Sequence, residues 1–226
     1  MRDAQNISEL VQLDINFIGF IFYGGPSGSR RHVSEFPEVN IPKHIKKVGV
    51  FVNESIDEVV RIVSQNGLNA VQLHGNTETI AYCRKLAEDL KMAHSELNSE
   101  PHQAHQTDRT IEIIKVFSVG SEFDFEITEA YERFSDYFLF DTKGKNYGGT
   151  GKKFDWDILS NYKGETPYLL SGGIALTDVN AVKAFFKSDA AKHCIGLDIN
   201  SGFEDEIALK NITEIKEFID KTGHCE

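Results

Sequence analysis

The fold class this sequence predicts is α/β, as a (β/α)8 barrel of the TIM type. Two observations carry that reading. Short β-rich runs alternate with helix-period segments from one end of the chain to the other, and alternation of this kind gives a parallel sheet with helices outside it. Several widely separated strands also turn polar only at their C-terminal ends. In a closed ring those ends converge on one mouth, the address of barrel active sites. An open doubly wound sheet would likewise seat its ligand beyond the strand C-termini, but at a single switch point.

The elements follow in order. Asp3 is a plausible N-cap for a helix over AQNISELVQL. Strands are then expected near FIGFIFY (17–23), KVGVFVN (47–53), AVQLHG (70–75), IEIIKVFSV (111–119), YFLFD (137–141), PYLLSGG (167–173) and CIGLDIN (194–200). Helical segments follow them, as in SIDEVVRIVSQNG, TETIAYCRKLAEDL, ALTDVNAVKAFFKS and EDEIALKNITEIKEFIDK. The chain thus opens and closes on a helix, and seven strands are read where the barrel expects eight; the first is the one without a counterpart. Residues 1–226 show no linker or second composition regime, which predicts one barrel domain.

Side-chain parity sorts the strand faces, because successive residues of a strand point to opposite sides. Val48, Val50 and Val52 oppose Gly49, Phe51 and Asn53. Val71 and Leu73 oppose Gln72 and His74; Phe138 and Phe140 oppose Asp141; Ile195 and Leu197 oppose Asp198. The uniformly apolar face of each is assigned to the helices, and the face that ends polar to the cavity. The polar stretch 93–110 leaves a helix and enters a strand, so it belongs on the opposite, N-terminal face. Its His94, His102 and His105 are read as solvated loop residues in preference to metal ligands.

Composition bounds the partners. The 226 residues carry a net charge of −11, which argues against a nucleic-acid binder, whose phosphate contacts need clustered Lys and Arg. A local pocket can still oppose the global sign and hold a phosphorylated metabolite. Cys83, Cys194 and Cys225 have no metal or redox spacing. The polar N-terminus carries no readable signal peptide, and no apolar run reaches the roughly 18 residues of a membrane helix. A cytoplasmic protein with no membrane partner is expected.

Three segments bear chemistry. In LFDTKGKNYGGTGKKFDW, Asp141 ends a strand ahead of a Gly-rich loop, and Phe154-Asp155-Trp156 opens the next helix. Glycines let backbone amides approach an anion, although the spacing is not that of a P-loop; a loop-capping Asp141 beside an idle turn is the plainer alternative. LLSGGI and GLDINSGFE are consecutive glycine-bearing turns into helices, the arrangement with which barrels hold phosphate after their last two strands. Gly172, Gly173, Asn200 and Ser201 are the expected phosphate contacts, unless these turns serve only the backbone. In SGSRRHVS, Arg30, Arg31 and His32 follow the first visible strand toward the same mouth, where a guanidinium can fork onto a carboxylate or simply be solvated.

Taken together, GFIFY, SRRHVS, GVFVN, VQLHG, LFDTKGKNYGGTGKKFDW, LLSGGI and GLDINSGFE resemble the phosphoribosylanthranilate isomerase family in order and spacing over nearly the whole chain. That resemblance implies a tryptophan-pathway isomerase performing an Amadori rearrangement of N-(5-phosphoribosyl)anthranilate to 1-(2-carboxyphenylamino)-1-deoxyribulose 5-phosphate. It implies no metal or organic cofactor. Asp141 would be the general acid and Arg31 would bind the anthranilate carboxylate, while Gln72, His74 and Asp198 match polar pocket positions. It also implies a general-base cysteine at the end of the first strand, in a Lys-Ile-Cys-Gly segment that has no counterpart from Met1 onward. Impaired activity of this form, as a monomer or homodimer, is the resulting expectation. The competing readings are another phosphate-binding barrel enzyme, an epimerase or a lyase, and a non-catalytic module that binds a phosphorylated ligand.

Overall fold

The computed structural model describes residues 1–24, 28–98, 111–142 and 156–223. Helix α1 (Ala4–Leu10) starts where Asp3 accepts the Asn6 amide at 2.7 Å, satisfying one of the free donors of the first turn. It buries Ile7 and Leu10. Seven strands follow: β1 (Phe17–Ile21), β2 (Lys46–Phe51), β3 (Ala70–Leu73), β4 (Glu112–Val119), β5 (Tyr137–Thr142), β6 (Tyr168–Ser171) and β7 (Cys194–Asp198). They form one sheet in sequence order, and every neighbouring pair is parallel.

The sheet curls into a barrel wall. Phe17 on β1 and Tyr137 on β5 meet edge to face, with ring centroids 6.1 Å apart, although three strands separate them in the sheet. Lys46 lies over both rings and pairs with Glu112 at 2.6 Å. This layer packs beneath an apolar interior of Val48, Ala70, Ile114, Val116, Leu139 and Leu169. A barrel interior filled by branched side chains in layers is a packed core, not a pore. Among the described residues no named strand pairs with the outer edge of β1 or of β7; on the β1 edge the Gly19 carbonyl accepts from the Met1 ammonium at 2.8 Å, and Ile21 forms an isolated bridge with His32. Seven sequential parallel strands with outer helices give the TIM-barrel architecture that the alternation predicts.

One parity assignment is reversed. Val48 and Val50 face the interior, and Phe51 packs outside against Val59, Ile62, Leu68 and Cys83. The valines misled because the lower barrel interior is as apolar as the helix-facing layer. The assignments of Val71 with Leu73, and of Phe138 with Phe140, to the outer layers agree with the structure.

The helices also need correction. Helix α2 (Ile56–Asn66) is capped by Ser55 and closed by Gly67, whose φ of 55° favours a residue without Cβ. Helix α3 runs Ile80–Asn98, so the first residues of the polar 93–110 stretch are helical; the rest, with His102 and His105, lies outside the described residues. After β1 the described residues hold no helix, and β4 and β5 are followed by 3-10 helices at Phe125–Phe134 and Trp156–Asn161. Helix α4 (Val179–Phe185) follows β6 through a 3-10 turn. The helix expected over 204–221 begins late. Glu204–Glu206 (β8) and Leu209–Lys210 (β9) form an antiparallel hairpin, turned by Ala208 at φ 69°, before helix α5 (Ile212–Thr222). Asn211 starts α5 by accepting the Glu214 amide at 2.9 Å, and that cap is what ends the hairpin.

A buried ion pair ties the loops after β2 and β3 together. The Glu78 carboxylate accepts the amides of Asn53 (3.0 Å) and Gly75 (2.6 Å) and meets Lys115 of β4 at 3.3 Å. Both side chains are almost wholly enclosed. These are the loops that carry His74 to the barrel mouth.

Candidate active site

Three strands in register end on polar side chains. Asp141 of β5 is the register partner of Ser171 on β6, which is in turn the partner of Asp198 on β7. The Ser171 hydroxyl donates to the Asp198 carboxylate at 2.8 Å. Opposite, His74 follows β3, with its Nε2 3.9 Å from Asp141 Oδ2. That separation is too long for a hydrogen bond but close enough for charge to be felt. Gln72 lies one register layer below His74, beside Val50 and Ile114. These residues line a single cavity of about 970 Å³ that reaches down to the barrel interior.

Desolvation within that cavity pushes the Asp198 carboxyl above the ordinary carboxylate range. The neighbouring Asp141 acts in the same direction, while the Ser171 hydrogen bond, Lys210 and His74 oppose it. Two carboxylates sharing one cavity resist being ionised together.

The turn after β6 is built around glycine. Gly172 has φ 122°, and a Cβ there would lie 2.1 Å from the Thr142 carbonyl oxygen. Gly173, at φ 63°, has open space where a side chain would be. Gly172→Ala should therefore destabilise the protein by displacing the β5 end, an effect that a thermal melt of the variant would register. Asn200 and Ser201 follow β7 and line the same cavity with Gly172 and Gly173. Ser201–Phe203 is a single 3-10 turn, not the start of a longer helix.

Arg31 also lines the cavity, but it is already engaged. Its Nε donates to both oxygens of Glu204 at 2.9 Å, and its Nη2 to Oε2 at 2.5 Å. Glu204 Oε1 further accepts from Lys210 Nζ at 3.1 Å, and Lys210 also donates to the Asn200 carbonyl (2.8 Å) and side-chain oxygen (2.7 Å). Burial alone would raise the Glu204 carboxyl; the bonds to Arg31 and Lys210 outweigh it and hold the group at about 2, against an ordinary 4.5. The ionised network therefore supports the fold fully above about pH 4.5, and its contribution drains away as pH falls toward 2. Glu204→Gln should flatten stability against pH across that acid window, which denaturation at a series of pH values would reveal.

The structure thus brings Arg31, Gln72, His74, Asp141, Gly172, Gly173, Asp198, Asn200 and Ser201 to one cavity. The glycine loop after Asp141 falls in 143–155, outside the described residues. Ser171, Glu204 and Lys210 escaped the sequence reading. Glu204 and Lys210 lay within an assumed helix, and the Asn211-x-x-Glu214 capping pattern was the available signal against it. Among the described residues no group of His, Cys, Asp and Glu is disposed to hold a metal ion, and no helix is long and apolar enough to cross a membrane.

The family model described as N-(5'-phosphoribosyl)anthranilate (PRA) isomerase matches residues 1–100 and 93–221. The chain belongs to the PRA isomerase family. Its relative in Parabacteroides distasonis, named N-(5'-phosphoribosyl)anthranilate isomerase, is 42% identical over 99% of this chain and 91% of its own length. The protein of that name in Phocaeicola vulgatus is 38% identical, covering 98% and 94%. Among solved structures, PRA isomerase from Thermotoga maritima superposes with a TM-score of 0.73 at 32% identity, over 98% of this chain and 95% of that one. A PRA isomerase crystallised with reduced 1-(o-carboxyphenylamino)-1-deoxyribulose 5-phosphate superposes with a TM-score of 0.70 at 29% identity, over 98% and 94%. PRA isomerases thus supply both the sequence and the fold to which this chain is similar.

Proposed function

We propose that this chain isomerises N-(5'-phosphoribosyl)anthranilate to 1-(2-carboxyphenylamino)-1-deoxyribulose 5-phosphate in tryptophan biosynthesis. The observation that carries the reading is the convergence, in one cavity, of a strand-end acid, a glycine turn and a guanidinium. Asp141, Gly172–Gly173 and Arg31 are the three groups that a sugar phosphate bearing an aromatic carboxylate requires.

In this reading Asp141 is the general acid. It protonates the furanose ring oxygen; the bond from C1 to that oxygen breaks, and the anthranilate nitrogen lone pair forms the iminium. Loss of the C2 proton to a base gives an enolamine, which tautomerises to the ketone. Neither described cysteine suits that base: Cys83 is buried outside the sheet on α3, and Cys194 opens β7 at the end remote from Asp198. Arg31 takes the anthranilate carboxylate through a charge-assisted fork. Amides of the Gly172–Gly173 and Asn200–Ser201 turns take the phosphate, as the last two turns of such barrels do. Gln72, His74 and Asp198 contact the ribose portion. The same reading treats residues 1–226 as one barrel domain, acting in the cytoplasm as a monomer or homodimer without nucleic-acid or membrane partners.

The test joins binding to turnover. The reduced product analogue should bind, and in a crystal its phosphate should lie against Gly173 and Ser201. Incubation with N-(5'-phosphoribosyl)anthranilate should yield the carboxyphenylamino ketose phosphate. Phosphate density elsewhere in the cavity would overturn the phosphate assignment; no binding and no product together would overturn the function.

A further inference from the structure

Resting on Arg31 as the carboxylate-binding residue, we infer that Glu204 is its positioning residue, held in turn by Lys210. A guanidinium has two edges on which a carboxylate can fork. Glu204 occupies the Nε–Nη2 edge with three contacts. That fork leaves the Nη1–Nη2 edge turned away from Glu204, and this is the edge assigned to the ligand. Arg31 keeps 24% of its side chain exposed in the cavity, whereas Glu204 is only 5% exposed. The buried partner thus fixes the long arginine side chain and leaves its second edge for binding.

The support behind Glu204 is continuous. Lys210 spends its three protons on Glu204 and on both oxygens of Asn200. Its backbone is clamped by the buried Asn6 of α1, which donates to the Lys210 carbonyl and accepts its amide, each at 2.8 Å. Lys210 therefore joins the arginine that would hold the substrate's carboxylate to the Asn200 turn that would hold its phosphate. The distance between the two binding points is set by one lysine, and binding geometry of this kind depends on locked supporting side chains.

Calorimetry on the full chain with two probes tests this: the reduced carboxyphenylamino deoxyribulose phosphate, and the same compound with a bare phenyl ring. Glu204→Gln removes the charge that orients Arg31; Glu204→Asp keeps the charge but shortens its reach. Both variants should weaken binding of the carboxylated probe by about tenfold or more, and of the bare-ring probe by less than about twofold. Equal weakening of the two probes would reduce Glu204 to a purely structural role, and unchanged affinity for the carboxylated probe would remove it from the site. If the unaltered chain binds both probes equally, the assignment of Arg31 itself fails, and that is seen before any substitution is made.

Discussion

In a version of the chain that carries an upstream Lys-Ile-Cys-Gly strand, Asp141→Asn should lower kcat for the isomerisation by about two to four orders of magnitude, the usual reach of general acid catalysis. The amide keeps the shape of the carboxyl group but has no proton of suitable acidity to give to the ring oxygen. Affinity for the reduced product analogue should change little, because the proposed site holds that ligand chiefly through its carboxylate and phosphate. The Asp141 side chain is partly accessible, and among the described residues its ion-pair contact is His74 at 3.9 Å, so the substitution should not compromise folding. Steady-state kinetics beside calorimetry make the comparison. A variant with near-native kcat would end the assignment of Asp141 as the acid, and a parallel loss of affinity would make it a binding group instead.

Lys115→Met should carry the largest stability cost, on the order of 3 kcal/mol, because it leaves the Glu78 carboxylate enclosed without its cation. The two amides of Asn53 and Gly75 would still bond Glu78, which keeps the loss below that of a bare buried charge. Adding Glu78→Gln to Lys115→Met should recover much of the stability, since the neutral amide can accept from one of those backbone donors and no charge remains to be desolvated. Urea denaturation of the two single variants and the double variant separates these terms. If the double variant is no more stable than Lys115→Met alone, the cost lies elsewhere, in the lost placement of the ammonium over the Phe117 and Tyr131 rings. Because the pair braces the loop bearing His74, Lys115→Met should also weaken binding of the reduced product analogue.

Much of the architecture was legible because it is written in local pattern. Strand–helix alternation located the seven strands of the parallel sheet, and residues such as Asp3 and Ser55 carry helix starts in their own side chains. The polar ends of YFLFD and CIGLDIN named Asp141 and Asp198, since a polar residue closing an apolar strand needs a reason to be there. Misreadings arose where two environments have the same polarity. Val48 and Val50 face an interior as apolar as the helix layer, so parity could separate the two faces of β2 without saying which was inside. The stretch 204–210 has a helix-compatible apolar spacing, but its charges are drawn elsewhere.

By itself, the sequence determined the parallel α/β class, the order of the strands, the family resemblance and the residues that end strands at the mouth. Each of these depends on neighbours along the chain or on alternation with a period of two. Only the tertiary structure decided that Arg31 is forked by Glu204 173 positions away, that Lys210 connects this pair to Asn200, and that Ser171 bridges the registers of Asp141 and Asp198. The physical reason is that a charge selects its partner by distance in space and by shelter from water. Curling the sheet brings β1, β5 and β7 around one cavity, and no local pattern in the sequence records which side chains will meet there.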